Sequence, residues 1–128
     1  MNLLIDTHIL LWSLTDPERL SLNCREILES PRNQVWVSSI SVWEIWIKAT
    51  VGKMRTPDGL KEAIASQGMQ SMSFTMDHAA EVAKLPLYHR DPFDRALLAQ
   101  ASKESLRFVT ADKALNQYAK HVNLLNVD

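Results

Sequence analysis

The chain has a single cysteine, Cys24, in 128 residues. That excludes an internal disulfide and fits a reducing compartment. Long apolar runs are missing too, since no stretch approaches the roughly 20 residues that a bilayer-spanning helix needs. Residues 1–6 lack a basic stretch and a small-residue cleavage site, so no signal peptide is expected, and a cytoplasmic protein is. Nor is there an excess of charge of one sign. The 14 Lys and Arg residues against 15 Asp and Glu leave a formal net charge of −1. No global field draws in nucleic acid, and any such contact must rest on a local patch. Internal repeats, low-complexity segments and linkers are also absent. What is there is ordinary globular material, 46% hydrophobic and 23% charged, at a length that suits one domain, residues 1–128.

Short apolar runs alternate with helical patterns. Leu3, Leu4 and Ile5 stop at Asp6 and have the continuous apolar character of a strand buried on both faces. Residues 9–14 read as a short apolar helix. Asp16-Pro17 opens a second one, with Leu20, Cys24, Ile27 and Leu28 on one face and Cys24 as a small core residue. Val35, Trp36 and Val37 form a second strand. Ser41 and Glu44 have the spacing of a capping box at the start of the next helix, which Gly52 ends. Asp58-Gly59 and Gly68 bracket another helix. Residues 71–74 read as a third strand, and residues 77–85 as a helix stopped by Pro86. Asp91 caps a helix over residues 92–105, with Pro92 in its first position. Residues 107–110, 112–118 and 122–125 read as strand, helix and strand. This alternation predicts an α/β fold with a central parallel sheet of about four to five strands and helices on both sides.

The acids fall at telling places. Asp6 follows the first strand, and Asp112 follows the fourth. Glu44 and Asp94 each fall in a first helical turn. In an open parallel sheet the strand C-termini and the following helix N-termini share one edge, where ligands bind. Four carboxylates from four segments converge there. Such an oxygen-only set suits Mg²⁺ or Mn²⁺ rather than zinc. Left without an ion, the cluster repels itself and raises its own pKa values. Taken singly, Glu44, Asp94 and Asp112 also serve as residues that complement helix N-termini. Asp16 and Asp91, each before a proline, read as structural caps. His8 and His89 lie near the same edge and read as packing or hydrogen-bonding groups. Arg95 is expected in a helix-surface ion pair, with a site carboxylate or nucleic acid as alternative contacts. Trp43, Trp46 and Ile47 read first as core packing; a groove for a partner segment or a dimer contact is the alternative. Lys48, Lys53 and Arg55 form a small basic cluster, either a solvated helix end or a holder of nucleic-acid phosphates.

Four blocks carry a resemblance: Asp6-Thr7-His8-Ile9-Leu10-Leu11-Trp12, Ser39-Ile40-Ser41-Val42-Trp43-Glu44-Ile45, His89-Arg90-Asp91-Pro92-Phe93-Asp94-Arg95 and Val109-Thr110-Ala111-Asp112. Together they resemble the PIN-domain proteins, and most of all the VapC-type toxins of toxin–antitoxin pairs. The resemblance implies a PIN-like fold and a Mg²⁺-dependent endoribonuclease, with Mn²⁺ as a substitute. RNA phosphodiester bonds would be hydrolysed by a metal-activated water, leaving a 5′-phosphate and a 3′-hydroxyl. Metal-binding and catalytic roles fall to Asp6, Glu44, Asp94 and Asp112, with Thr110 and Arg95 in support. A homodimer and a VapB-type antitoxin partner are implied as well. Two rival readings differ in class. A non-catalytic PIN-like binding module is disfavoured because all four matching acids are present. A receiver-type phosphoacceptor domain is disfavoured because Asp6 is followed by Thr7-His8 rather than a second acid, and no late strand ends in lysine. The sequence leaves open whether the RNA is a tRNA, an rRNA or an mRNA.

Overall fold

Leu3, Leu4 and Ile5 have no solvent exposure at all, as expected of a strand at the centre of a sheet covered on both faces. The computed structural model describes residues 1–128 and puts them there. Strand β1 (Asn2–Ile5) is flanked by β2 (Gln34–Ser38) and β4 (Arg107–Thr110), with β3 (Gln70–Met72) and β5 (Leu124–Asn126) at the edges. All four pairings are parallel. The order β3-β2-β1-β4-β5 means that the chain leaves β1 toward one edge and later returns to its other side. The strand order therefore reverses between β1 and β4, and the crevice at that point opens above their carboxyl ends.

Helices α1 (Thr7–Thr15), α2 (Leu22–Glu29), α3 (Ser39–Thr50), α4 (Leu60–Ser66), α5 (Met76–Val82) and α6 (Pro92–Lys103) cover the sheet, joined by 3₁₀ turns at Pro17–Arg19 and Lys113–Tyr118. The alternation of side chains along β1 splits the core in two. Leu3 and Ile5 pack with Ile9, Leu10, Cys24, Val37, Ile45 and Ile64 on one face. Leu4 packs with Leu97, Leu98, Phe108, Leu115 and Tyr118 on the other. Burial in the first of these lifts the Cys24 thiol to about 11, as expected of an inert core cysteine.

Several local expectations are corrected. Asp16 makes no capping bond, and Pro17–Arg19 is only a 3₁₀ turn. The following helix begins at Leu22, where the Ser21 hydroxyl accepts from the Cys24 N–H, and Leu20 lies outside it. Asp91 does cap α6, its Oδ1 accepting from the N–H groups of Phe93 and Asp94. Helix α3 is capped by Ser38, not Ser41. Ser38 still pairs with Met72 in the sheet ladder, so the helix starts directly where the strand stops. Glu44 consequently lies in the second turn and not the first. The third strand is Gln70–Met72, displaced from 71–74. The core reading of the tryptophans also fails: Trp43 and Trp46 are 58% and 48% exposed.

These placements separate two substitutions of large apolar residues. Leu97→Ala, at a fully buried position, is expected to cost about 3 kcal/mol in denaturant unfolding, whereas Trp46→Ala costs less than about 1 kcal/mol.

A candidate metal centre at the carboxyl edge of the sheet

Each acid of the edge is held by the element that delivers it. Asp6 ends β1 and caps α1, with 4% exposure. Its Oδ2 accepts a 2.6 Å bond from Thr110 Oγ1 at the end of β4, and its Oδ1 a long 3.4 Å contact from the His8 N–H. Thr110 Oγ1 in turn accepts from the Asp112 N–H at 3.1 Å, so one hydroxyl ties the exits of two neighbouring strands together. Glu44 projects from α3 and is 2% exposed. The buried bond from Thr7 Oγ1 to Ser41 Oγ, 3.0 Å, locks α1 against α3 one turn before it. Glu44 Oε2 accepts from Lys48 Nζ at 2.5 Å, and Glu44 Oε1 is buried with no hydrogen-bond partner. Asp94 stands in the first turn of α6, with its Oδ2 2.8 Å from His89 Nε2. Asp112 is exposed and caps the last 3₁₀ turn through the Ala114 N–H.

Asp6, Glu44 and Asp94 are near enough to act on one another electrostatically. Burial pushes the Asp94 carboxyl up to about 7, and the negative charges of Asp6, Asp91 and Glu44 add to that, against the opposing bond from His89. Asp6 is raised chiefly by burial and also by Glu44, against the Thr110 bond and the positive influence of His8. Asp112 joins from the Asp94 side: His89, Asp94 and Asp112 each offer a ligand atom, all within 4.8 Å of one another. Burial disfavours the Lys48 ammonium, but the bond and charge of Glu44, with Asp91 and Asp94, hold it above the ordinary lysine value. Desolvated, mutually repelling carboxylates with one orphaned buried oxygen fit a hard divalent cation, which would satisfy that oxygen and relieve the repulsion.

Other expected residues lie differently. Arg95 forms no surface ion pair. It turns inward and donates to the carbonyls of Val82, Leu85 and Pro86 and to the Tyr118 hydroxyl. Tyr118 is fully buried. Its hydroxyl donates to the Pro86 carbonyl at 2.8 Å and accepts from the N–H groups of Tyr88 and His89 at 3.1 and 3.0 Å. Arg95 and Tyr118 thus pin the loop that presents His89 to Asp94. The basic cluster is split: Lys48 is taken up by Glu44, while Lys53 and Arg55 line a separate hollow beside α1. The Lys48–Glu44 pair goes beyond the sequence expectations, although its i,i+4 spacing is a readable signal. So do the Tyr118 bonds, which no local pattern announces.

The comparisons agree with this architecture. The family model of the PIN domain matches residues 3–121. Ribonuclease VapC22 of Mycobacterium tuberculosis is 27% identical over 125 residues, covering 91% of this chain and 92% of that protein. Among solved structures, VapBC2 from Rickettsia felis bound to a DNA fragment from its promoter superposes with a TM-score of 0.74 at 16% identity, over 100% of both chains. DNA-bound VapBC from Salmonella typhimurium gives 0.65 at 14% identity, over 100% of this chain and 99% of that one.

The raised Asp94 carboxyl has a consequence for stability. Folded protein keeps that proton up to about pH 7, whereas an ordinary carboxylate releases it near 3.8. Between those values the folded state binds more protons than the unfolded one, so stability falls as pH rises through the interval. In EDTA, calorimetric melting is expected to show this decline. Asp94→Asn should flatten it and raise the midpoint at pH 8 by about 5 °C.

Proposed function

This chain belongs to the PIN-domain family, and on that footing we propose that it is a Mg²⁺- or Mn²⁺-dependent endoribonuclease of the VapC type, the toxin of a toxin–antitoxin pair. The observation that carries the reading is the unpartnered Glu44 Oε1, buried beside Asp6 and Asp94. Asp6, Glu44, Asp94 and Asp112 would hold the ion. When bound, it supplies neutralisation of phosphate charge and a water acidified enough to attack phosphorus in line.

The chain's own groups do the orienting. Thr110 fixes Asp6 Oδ2, and Lys48 fixes Glu44 Oε2, which leaves the buried Oε1 without a partner. His89 Nε2, 2.8 Å from Asp94 Oδ2, holds that oxygen at the edge of the acid set. Arg95 supports the site indirectly, through the loop that carries His89. Lys53 and Arg55 serve as phosphate contacts for the RNA strand. Residues 1–128 act as a single PIN domain in the cytoplasm, where RNA is available.

Partners follow from the surface and the relatives. Trp43, Trp46, Ile47 and Val51 expose an apolar stretch of α3, and Trp43 meets Phe93 edge-on at 5.3 Å. A patch of this kind suits a protein contact. We assign it to the homodimer or to a VapB-type antitoxin, the kind of complex in which the superposed VapBC chains occur.

Purified protein is expected to cut single-stranded RNA in Mg²⁺ or Mn²⁺, leaving 5′-phosphate and 3′-hydroxyl ends, and to stop in EDTA. Asp6→Asn and Asp94→Asn should each lower the single-turnover rate at least about 100-fold with the circular dichroism spectrum unchanged. Undiminished cutting by either folded variant would remove the site.

A further inference from the structure

Beside the acid site, α1 and the segment after α3 enclose a hollow of about 450 Å³ lined by His8, Trp12, Asp16, Arg19, Lys53 and Arg55, among others. Its charge differs sharply from that of the chain as a whole. Arg19, Lys53 and Arg55 are exposed, and none has a carboxylate within ion-pair distance. Asp16 is the one acid in the lining. The Arg19 guanidinium lies over the Trp12 ring at 4.6 Å from its centroid, and the His8 ring packs against the same indole at 5.7 Å. His8 is also the link to the candidate metal centre, since its backbone N–H contacts Asp6 Oδ1 at 3.4 Å.

Three unpaired cations, one of them layered on an indole, answer a particular chemistry. Lone cations attract phosphates, while indole and guanidinium planes both stack bases. We propose that this shelf is a binding site for the single-stranded RNA that runs out of the metal centre, with a base stacked on the Trp12–Arg19 layer and its phosphates held by Arg19, Lys53 and Arg55. The inference rests on the ribonuclease reading above and adds the path of the strand. Stacking accepts any base and phosphates carry no sequence, so the shelf sets position and leaves sequence choice to other contacts. It also favours single strands over duplex, whose bases are not free to stack on protein.

The test separates binding from cutting. A fluorescein-labelled ten-nucleotide oligouridine is titrated against protein carrying Asp94→Asn, so that no cleavage intervenes, in Mg²⁺ at several salt concentrations. Adding Arg19→Ala, Lys53→Ala and Arg55→Ala together is expected to raise Kd at least tenfold. It should also reduce the slope of log K against log salt by about 2, from three phosphates at about 0.7 each. Trp12→Leu is expected to weaken binding about tenfold, and Trp12→Phe to restore most of it. With Asp94 intact, the triple variant should cut with raised KM and kcat within about twofold. Unchanged Kd and salt slope in the triple variant overturn the shelf while leaving cleavage by the unaltered protein intact. Equal affinity for a duplex of the same length, or loss of a co-expressed protein partner with RNA binding untouched, overturns it as well. Absence of cleavage by the unaltered protein, with binding still lost in the triple variant, counts against the nuclease reading alone and supports the shelf.

Discussion

Thr110 Oγ1 donates to Asp6 Oδ2 across 104 residues of sequence, and that bond exists only because β4 returns to lie beside β1. Had β4 paired elsewhere, the acid after the first strand would keep only the long contact from the His8 N–H, and its buried charge would be costlier. The reversal of strand order thus does two things together. It opens the crevice, and it brings the one hydroxyl that makes a buried carboxylate tolerable in it. Asp112 depends on the same atom, through its backbone N–H.

A pattern runs through all four acids. Each has one oxygen in a firm bond: Asp6 to Thr110, Glu44 to Lys48, Asp94 to His89, and Asp112 to the Ala114 N–H. The second oxygen is left weakly held or unheld, most plainly Glu44 Oε1. A cluster selected for stability alone would pair both oxygens or replace the acids by apolar groups, because half-satisfied buried charge is costly. One tethered oxygen and one free oxygen is the arrangement that fixes a carboxylate's direction and reserves a lone pair. Strain of this sort concentrates where a ligand completes the site.

Much of this was legible in the sequence, for physical reasons that also explain the gaps. Apolar runs that stop at an acid mark strands buried on both faces, and Asp6 and Asp112 were located that way. Asp91-Pro92 marked α6, so Asp94 fell into its first turn. Glu44 was found but misplaced by a turn, because Ser38, Ser39 and Ser41 all have a capping hydroxyl and local sequence does not choose among them. The choice is made by Ser38's pairing with β3, a contact distant in sequence. The tryptophans misled for a similar reason. Hydrophobicity says that a side chain gains from burial, not that the fold has a surface to bury it against. The charge of Arg95 points to the helix surface, yet the last residue of α5 and the loop after it turn three carbonyls toward its forked donor.

That loop bears on how a site so dependent on geometry is kept in place. His89 lies on an irregular segment between α5 and α6, and such segments are ordinarily the least fixed part of a fold. Here its backbone is anchored from beneath. The Tyr118 hydroxyl takes two of its N–H groups and gives its own proton to Pro86, while Arg95 gathers the carbonyls that remain. Tyr118 itself cannot shift, being fully enclosed in the core with Leu97, Phe108 and Leu115. The rigidity of the sheet's second face is therefore passed to a loop on its edge through a single phenol oxygen. An aromatic side chain near the end of the chain reads in sequence as one more core residue. Its hydroxyl, buried where a phenylalanine would pack as well, is the sign that its polar end is what the position requires.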